Sequence, residues 1–503
     1  MRAPLAVLTF SALTLVLVGL PTKREEDRRR ENVLLVVVDT LRADAIGRGI
    51  TPNIDALAQD GVLFEQAFAH APMTLPAHAS LFSSLLPSES LVLTNGQTVE
   101  RELPLLGHHL ALRGYEALAA VSLATLWPVV AGCGVDRGFH LYDTGRRPVE
   151  RGHEVLPRVT RLLDGRDDSK PFFLFAHFSD PHEPYNCQGT AGHTAHVWIN
   201  GEPAGSATTS EMSWWKRTLN LSPGEHTIRF TSHFPFKARE VKASSMGTLL
   251  PIRFEEGAPL RANTELSFTF KATGEPVELS VWLNDAPELD EIRRRYDLEV
   301  EAVDRAIGDL MRDLERRGVA DETLVIVTSD HGEALGEHGQ IGHVNTLYDE
   351  VLHVPLVIRP TTKRAEYALK RSAQKLVTHI DLAPTILELA DVAPWSGMRG
   401  ASLVSKTRSR TLFAETHKPE APRDLLCLRD EETKLIFDPA ADSFTCFDLT
   451  ADPGEERDIY AARADSLAQW RAKLRMHAAK ASGRSATRRD EAGHLAALGY
   501  AGN

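Results

Sequence analysis

Apolar residues run without interruption from Val33 through Val38 and stop at Asp39, in N-V-L-L-V-V-V-D. The same texture returns in P-F-F-L-F-A-H-F-S-D (Pro171 to Asp180) and in T-L-V-I-V-T-S-D-H-G (Thr323 to Gly332). Such runs, rich in β-branched side chains, predict strands covered on both faces, as in a parallel sheet. Between them the spacing turns helical. P-N-I-D-A-L-A and P-L-L-G-H-H-L-A-L-R-G are short examples, and a long helix is predicted from about Glu288 to Arg317, where Ile292, Tyr296, Val303, Ile307, Leu310 and Leu314 recur at helical spacing. Strands alternating with helices give an α/β domain with a central, mostly parallel sheet. In open sheets of this kind ligands gather beyond the carboxyl ends of the strands, so Asp39 and Asp330, two strand-ending acids far apart in sequence, have a reason to meet.

Two regions depart from this texture. From residue 188 to residue 286 a period of two replaces helical spacing, with turn residues about every eight to twelve positions, which predicts an inserted β-sandwich of roughly 100 residues. After residue 365 a smaller C-terminal α+β subdomain (366–503) is expected, with a helix from Asp381 to Ala390 and strands in T-K-L-I-F-D and T-C-F-D-L. The catalytic core is then 32–187 together with 287–365. Residues 1–31 are set apart: Arg2, an apolar run from Leu5 to Leu20 and the charged K-R-E-E-D-R-R-R-E have the layout of an export signal, cleaved or retained as an N-terminal membrane anchor. Either reading predicts an extracytoplasmic protein, periplasmic or secreted.

Composition narrows the field. A length of 503 residues suggests two or three domains, and a net charge of -12 argues against a nucleic-acid partner. Four cysteines (Cys133, Cys187, Cys427, Cys446) lack the spacing of a zinc or redox motif. Cys427 and Cys446 fall in neighbouring strand-like runs, so one bridge is a reading, with buried free thiols preferred. Trp198, Trp214, Trp215 and Trp282 give the insert two readings, core packing, the leading one, and a sugar-stacking face.

The polar residues left at strand ends and helix starts are Asp39, Thr74, Asp330 and His331, with His78, His182 and His343 around them. Each alone is as readily a cap, a turn or loop packing. Together, two carboxylates, an imidazole and a hydroxyl suit a divalent cation, and the helix opening at Thr74 offers N–H groups to an anion.

The stretches V-V-V-D-T-L-R-A-D, T-P-N-I-D-A-L-A-Q-D-G-V-L-F-E-Q-A-F, T-L-P-A-H-A-S-L-F, D-P-H-E-P-Y, V-T-S-D-H-G-E-A-L-G-E-H-G, G-H-V-N-T-L-Y-D-E-V-L-H-V-P-L-V-I-R and H-I-D-L-A-P-T-I-L-E-L-A, in this order, resemble the sulfatase family of the alkaline phosphatase superfamily. The resemblance implies one metal held by Asp39, Asp330 and His331, with Thr74 as nucleophile and within reach as a ligand. It also implies that His182 and His343 face the substrate's anionic group and leaving oxygen. The pattern is broken where it matters. Formylglycine sulfatases carry C-x-P-x-R, with the Cys or a Ser converted to the aldehyde; here Thr74 and His78 stand at the ends of that motif, and Thr40 replaces a second acid. Threonine cannot become formylglycine, so the expected chemistry moves toward phosphate or phosphonate esters, with sulfate esters as poor substrates. Fewer carboxylates shift the metal from Ca²⁺ towards Mn²⁺ or Zn²⁺. The expected partner is an anionic ester, on a glycan or a lipid headgroup. Two other readings stay open: a membrane-surface transferase of phosphoryl headgroups, and a non-catalytic protein that binds anionic glycans.

Overall fold

A computed structural model describes residues 30–128, 132–183, 185, 194–208, 213–245, 248–254, 263–285, 289–405 and 411–485. The N-terminal apolar run, Cys187 and the side chains of Trp214, Trp215 and Trp282 lie outside what is described.

The core is built on β1 (Asn32–Val38), β2 (Val62–Leu63), β3 (Glu116–Ala120), β4 (Leu141–Asp143), β5 (Phe172–Phe178), β6 (Thr323–Thr328) and β7 (Leu356–Arg359), ordered β2-β7-β6-β1-β5-β3-β4. β4, β3, β5, β1 and β6 run parallel, and β7 is antiparallel to β6. β1 sits centrally because both its faces are apolar: Val33, Leu35 and Val37 enter one core, Leu34, Val36 and Val38 the other. Each such side chain contributes roughly 1.5–3 kcal/mol through burial.

Helices α1 (Pro52–Asp60), α2 (Thr74–Ser83), α3 (Gly152–Asp164) and α4 (Leu289–Arg316) cover the sheet. α1, α3 and α4 pack on the face of Val36, while Leu75, Ala79 and Phe82 of α2 pack on the face of Val37. All six α4 residues that the spacing placed inside are buried. The α4 residue Tyr296 also reaches the site: its hydroxyl donates to the Thr40 carbonyl at 2.8 Å and accepts the Arg42 N–H at 2.9 Å.

The described strands between Thr194 and Asp285 form an antiparallel sheet of their own. A single long strand, Gly224–Ser245, pairs with Asn263–Ala272 along its first half and with Val277–Asp285 along its second. Its register breaks between Thr231 and Phe236, an interval containing Pro235, which has no N–H for a ladder. Ile228, Phe230 and Phe268 from the first half share one core with Ala243, Leu279 and Val281 from the second, so the two layers are joined by hydrogen bonds through one strand. Trp198 is half-buried beneath the Arg229 guanidinium.

Beyond α4 a four-stranded antiparallel sheet (Leu412–Thr416, Leu425–Arg429, Thr433–Asp438, Ser443–Asp448) carries the C-terminal helix Ala468–Ser485. Cys427 and Cys446 are buried free thiols on strands separated by a third. Glu415 ties this sheet to the core. One oxygen accepts the Ser88 N–H at 2.7 Å, and the other accepts from His417 Nε2 at 3.0 Å. Burial works against charge on His417, but hydrogen bonds to Asp424 and Glu415 raise it to about 9.

That raised value makes a prediction. Unfolded, His417 titrates near about 6.5, so its share of stability is complete below that pH and is lost as pH rises through about 9. The melting temperature should fall between neutral pH and pH about 10, and the fall should be shallower in His417→Gln. Parallel curves for the two proteins would remove the ion pair as the cause.

Candidate active site

The parallel register decides which residues meet. Val37 lies opposite Thr328 on one side and His177 on the other, so β1, β5 and β6 finish level. Asp39 follows β1 directly, Asp330 follows β6 by two residues, and both are fully buried. His331 Nε2 lies 3.7 Å from Asp39 Oδ1 and 3.6 Å from Asp330 Oδ2. Thr74, the first residue of α2, donates its hydroxyl to Asp39 Oδ2 at 3.3 Å. The candidate ligands and the candidate nucleophile therefore share one buried cluster.

Thr40 holds this arrangement under strain. Its φ is 60°, a left-handed value that a β-branched residue adopts only where its surroundings impose it. The result is that its N–H points at Asp330 Oδ1, 3.3 Å away, while its hydroxyl turns back to the Asp39 carbonyl. The His331 N–H donates to the same Asp330 oxygen at 2.8 Å.

Electrostatics give the cluster its character. Burial, then the neighbouring charges of Asp330 and Glu333, push the Asp39 carboxyl well above its ordinary range. Burial likewise raises Asp330, to about 7. Burial lowers the nearby imidazoles, His78 to about 4 and His177 and His331 well below their usual value. Two acids that resist ionising beside neutral imidazoles make a cage short of positive charge. Asp39 Oδ1, Asp330 Oδ2 and His331 Nε2 are all buried without a hydrogen-bond partner, and the three groups bring donor atoms within 4.8 Å of one another. These residues fit a divalent cation: the orphaned atoms are oxygens and an imidazole nitrogen, the donor types a borderline metal takes.

The remaining sequence candidates divide by depth. His78 is fully buried one turn along α2 from Thr74, its Nδ1 donating to the Thr74 carbonyl at 2.7 Å. His182 and His343 stand nearer the surface with ring centroids 5.3 Å apart, and His343 is 4.3 Å from the His331 ring. His182 Nδ1 donates to the Glu183 carbonyl, and His343 Nδ1 meets Glu333 Oε1 at 3.1 Å.

One expectation needs correction. The first turn of α2 is less open to an anion than its sequence implies, because the Leu75 N–H is taken by Asn95 Oδ1 at 2.8 Å. Asn95 is itself held by both oxygens of the half-buried Glu420. Sequence reasoning missed Asn95, Glu420, Glu333 and His177. Only His177 had a visible signal, as the lone polar residue within the otherwise apolar strand Phe172–Phe178.

The sulfatase family profile matches residues 31–392, and a profile for the C-terminal region of N-sulphoglucosamine sulphohydrolase matches residues 336–482. The chain is 24% identical over 502 residues to an N-acetylglucosamine-6-O-sulfatase of Bacteroides thetaiotaomicron, covering 90% of this chain and 86% of the relative. Among solved structures, a 2-O GAG sulfatase superposes with a TM-score of 0.61 at 17% identity, covering 92% of this chain and 94% of its own. A phosphonate monoester hydrolase of Agrobacterium radiobacter superposes with a TM-score of 0.59 at 22% identity, covering 90% and 96%.

The buried acids predict how folding responds to metal. After chelation, adding Mn²⁺ or Zn²⁺ to a hundredfold excess over its dissociation constant should stabilise the fold by about 2.7 kcal/mol, read as a rise in melting temperature. In Asp330→Asn that rise should shrink or vanish. An unchanged melting temperature in the wild type on addition of either ion would refute the cage.

Proposed function

The chain belongs to the sulfatase family, whose members hydrolyse esters, and from that premise we propose that it is a metal-dependent hydrolase of phosphate or phosphonate esters acting through Thr74. The observation that carries this reading is a threonine hydroxyl, 3.3 Å from Asp39 Oδ2, at the position of the nucleophile. A sulfated formylglycine hydrate expels sulfate by collapsing to the aldehyde, an exit threonine lacks. A phosphothreonine needs no such exit, since water attacks phosphorus. The fold itself is neutral on the point, with a GAG sulfatase and a phosphonate monoester hydrolase both among its structural neighbours.

In this reading Asp39, Asp330 and His331 would hold a divalent cation, which would supply positive charge against the developing negative charge on the Thr74 and phosphoryl oxygens. Asp39 Oδ2 is the acceptor towards which the Thr74 hydroxyl proton already points. The Thr74 oxygen bonds to phosphorus as the ester P–O bond breaks, and the departing oxygen takes a proton. His343 is placed to give it: burial works against its charge, but Glu333, bonded through Nδ1, outweighs this and favours the protonated form. His182, with Nδ1 donating to the Glu183 carbonyl, keeps Nε2 as an acceptor for the incoming water. Water then attacks phosphorus and gives a proton to His182, the Thr74 oxygen departs and takes its proton back from Asp39, and phosphate or phosphonate leaves. The sugar-borne ester named for the Bacteroides relative supports a glycan as the carrier of the group.

A panel of sulfate monoesters, phosphate monoesters, phosphate diesters and phosphonates tests the reading. Phosphorus esters should be turned over fastest, with product released in the absence of an acceptor alcohol. Acid-quenched enzyme should yield phosphothreonine in the peptide carrying Thr74. Thr74→Ala should lose about three orders of magnitude or more in kcat. Faster turnover of a sulfate ester, or near wild-type activity in Thr74→Ala, would sink the proposal.

A further inference from the structure

Behind Thr74 lies a second set of donors. His78, His177 and Asp330 are fully buried and bring one donor atom each within 4.8 Å of one another. Only Asp330 belongs to the cage already described. The His78 and His177 rings are 5.0 Å apart, and His78 Nδ1 is 3.7 Å from Asp330 Oδ2.

Proton placement shows what these imidazoles offer. A carbonyl oxygen only accepts, so His78 must carry its proton on Nδ1, where it donates to Thr74, and Nε2 is left as a bare lone pair. His331 is fixed the same way, donating from Nδ1 to the Gly332 carbonyl at 3.0 Å. His177 Nδ1 meets the Ser122 hydroxyl at 2.9 Å. In all three rings Nδ1 is tethered while Nε2 is buried without a partner. An imidazole oriented through one nitrogen and empty at the other is how metal-binding histidines are built. An unpaired buried nitrogen would otherwise carry its full desolvation cost.

The two carboxylates face both ways. Asp39 Oδ1 lies towards His331, at 3.7 Å, while Asp39 Oδ2 takes the Thr74 hydroxyl and lies 3.8 Å from His177 Nε2. Asp330 Oδ2 lies 3.6 Å from His331 Nε2 and carries no hydrogen bond, while Asp330 also shares the second cluster with His78 and His177. We propose that the centre holds two divalent cations, the second bound by His78, His177 and Asp330, with the Asp330 carboxylate shared between them. Two imidazoles and one carboxylate select Zn²⁺ or Mn²⁺ over Ca²⁺ and Mg²⁺. One dication only cancels Asp39 and Asp330. Two leave the cluster positive, the sign required to draw in a dianionic phosphoryl group. That last step rests on the phosphoesterase reading; the number of ions does not.

Metal counting decides it. Apo-protein loaded with Mn²⁺ and freed of excess by gel filtration should carry two ions per chain by mass spectrometry, with the electron paramagnetic resonance spectrum of a coupled Mn²⁺ pair. His177→Ala and His78→Ala should each carry one ion and show no coupling, and their circular dichroism tells a lost site from a lost fold. One ion per chain in the wild type, or two retained in folded His177→Ala, would overturn the second site. One ion together with hydrolysis of phosphate esters would overturn this inference alone; two ions with activity confined to sulfate esters would overturn the functional reading alone.

Discussion

Two carboxylates buried side by side govern this molecule. Their donor oxygens lie within 4.8 Å of one another, and at an effective dielectric constant of about 20 the repulsion between two ionised groups that close is roughly 3 kcal/mol. Burial adds a desolvation cost to each, and the neighbouring imidazoles are too depressed to answer with positive charge. Much of the local architecture follows from managing that pair. Thr40 accepts a strained backbone so that its N–H can point at Asp330. Tyr296, from a helix on the far side of the sheet, secures the carbonyl of the same strained residue. The level ends of β1, β5 and β6 then fix which other side chains share the space.

Much of this could be read from the chain. A run of β-branched residues that stops at an acid states both the burial of a strand and the location of its active end, and this is why Asp39 and Asp330 stood out. Six apolar positions at helical spacing placed α4 almost to its ends. His177 showed only as a polar residue in an apolar strand, and its role depended on register: opposite Val37, on the face shared with Phe175 and α2, it becomes a neighbour of His78. Asn95 and Glu420 were illegible for a different reason. Both lie in connecting segments, where no periodicity reports direction, and each acts through a partner remote in sequence. The inserted sheet was visible as alternation, but its joining through one bent strand was not, since a proline inside a strand pattern reads as an end.

The family's name and the residues at its centre pull apart here. The same framework supports sulfur and phosphorus chemistry among its structural neighbours, so in the proposed reading the choice falls to the few positions where the resemblance to formylglycine sulfatases breaks: Thr74, His78 and Thr40. Each removes charge or reactivity that the formylglycine pattern relies on. The buried nitrogens of His78 and His177 suggest how the missing charge is restored, by ions instead of by side chains.

The link from Leu75 through Asn95 to Glu420 also orders events in time. A ribosome makes about 5–20 residues each second, and 345 residues separate position 75 from position 420 (420 − 75), so roughly 17 to 69 seconds pass between the two. Throughout that interval Asn95, which accepts the Leu75 N–H, lacks the carboxylate that holds it. The first turn of α2 therefore reaches its final hydrogen-bonded setting only after position 420 has been made.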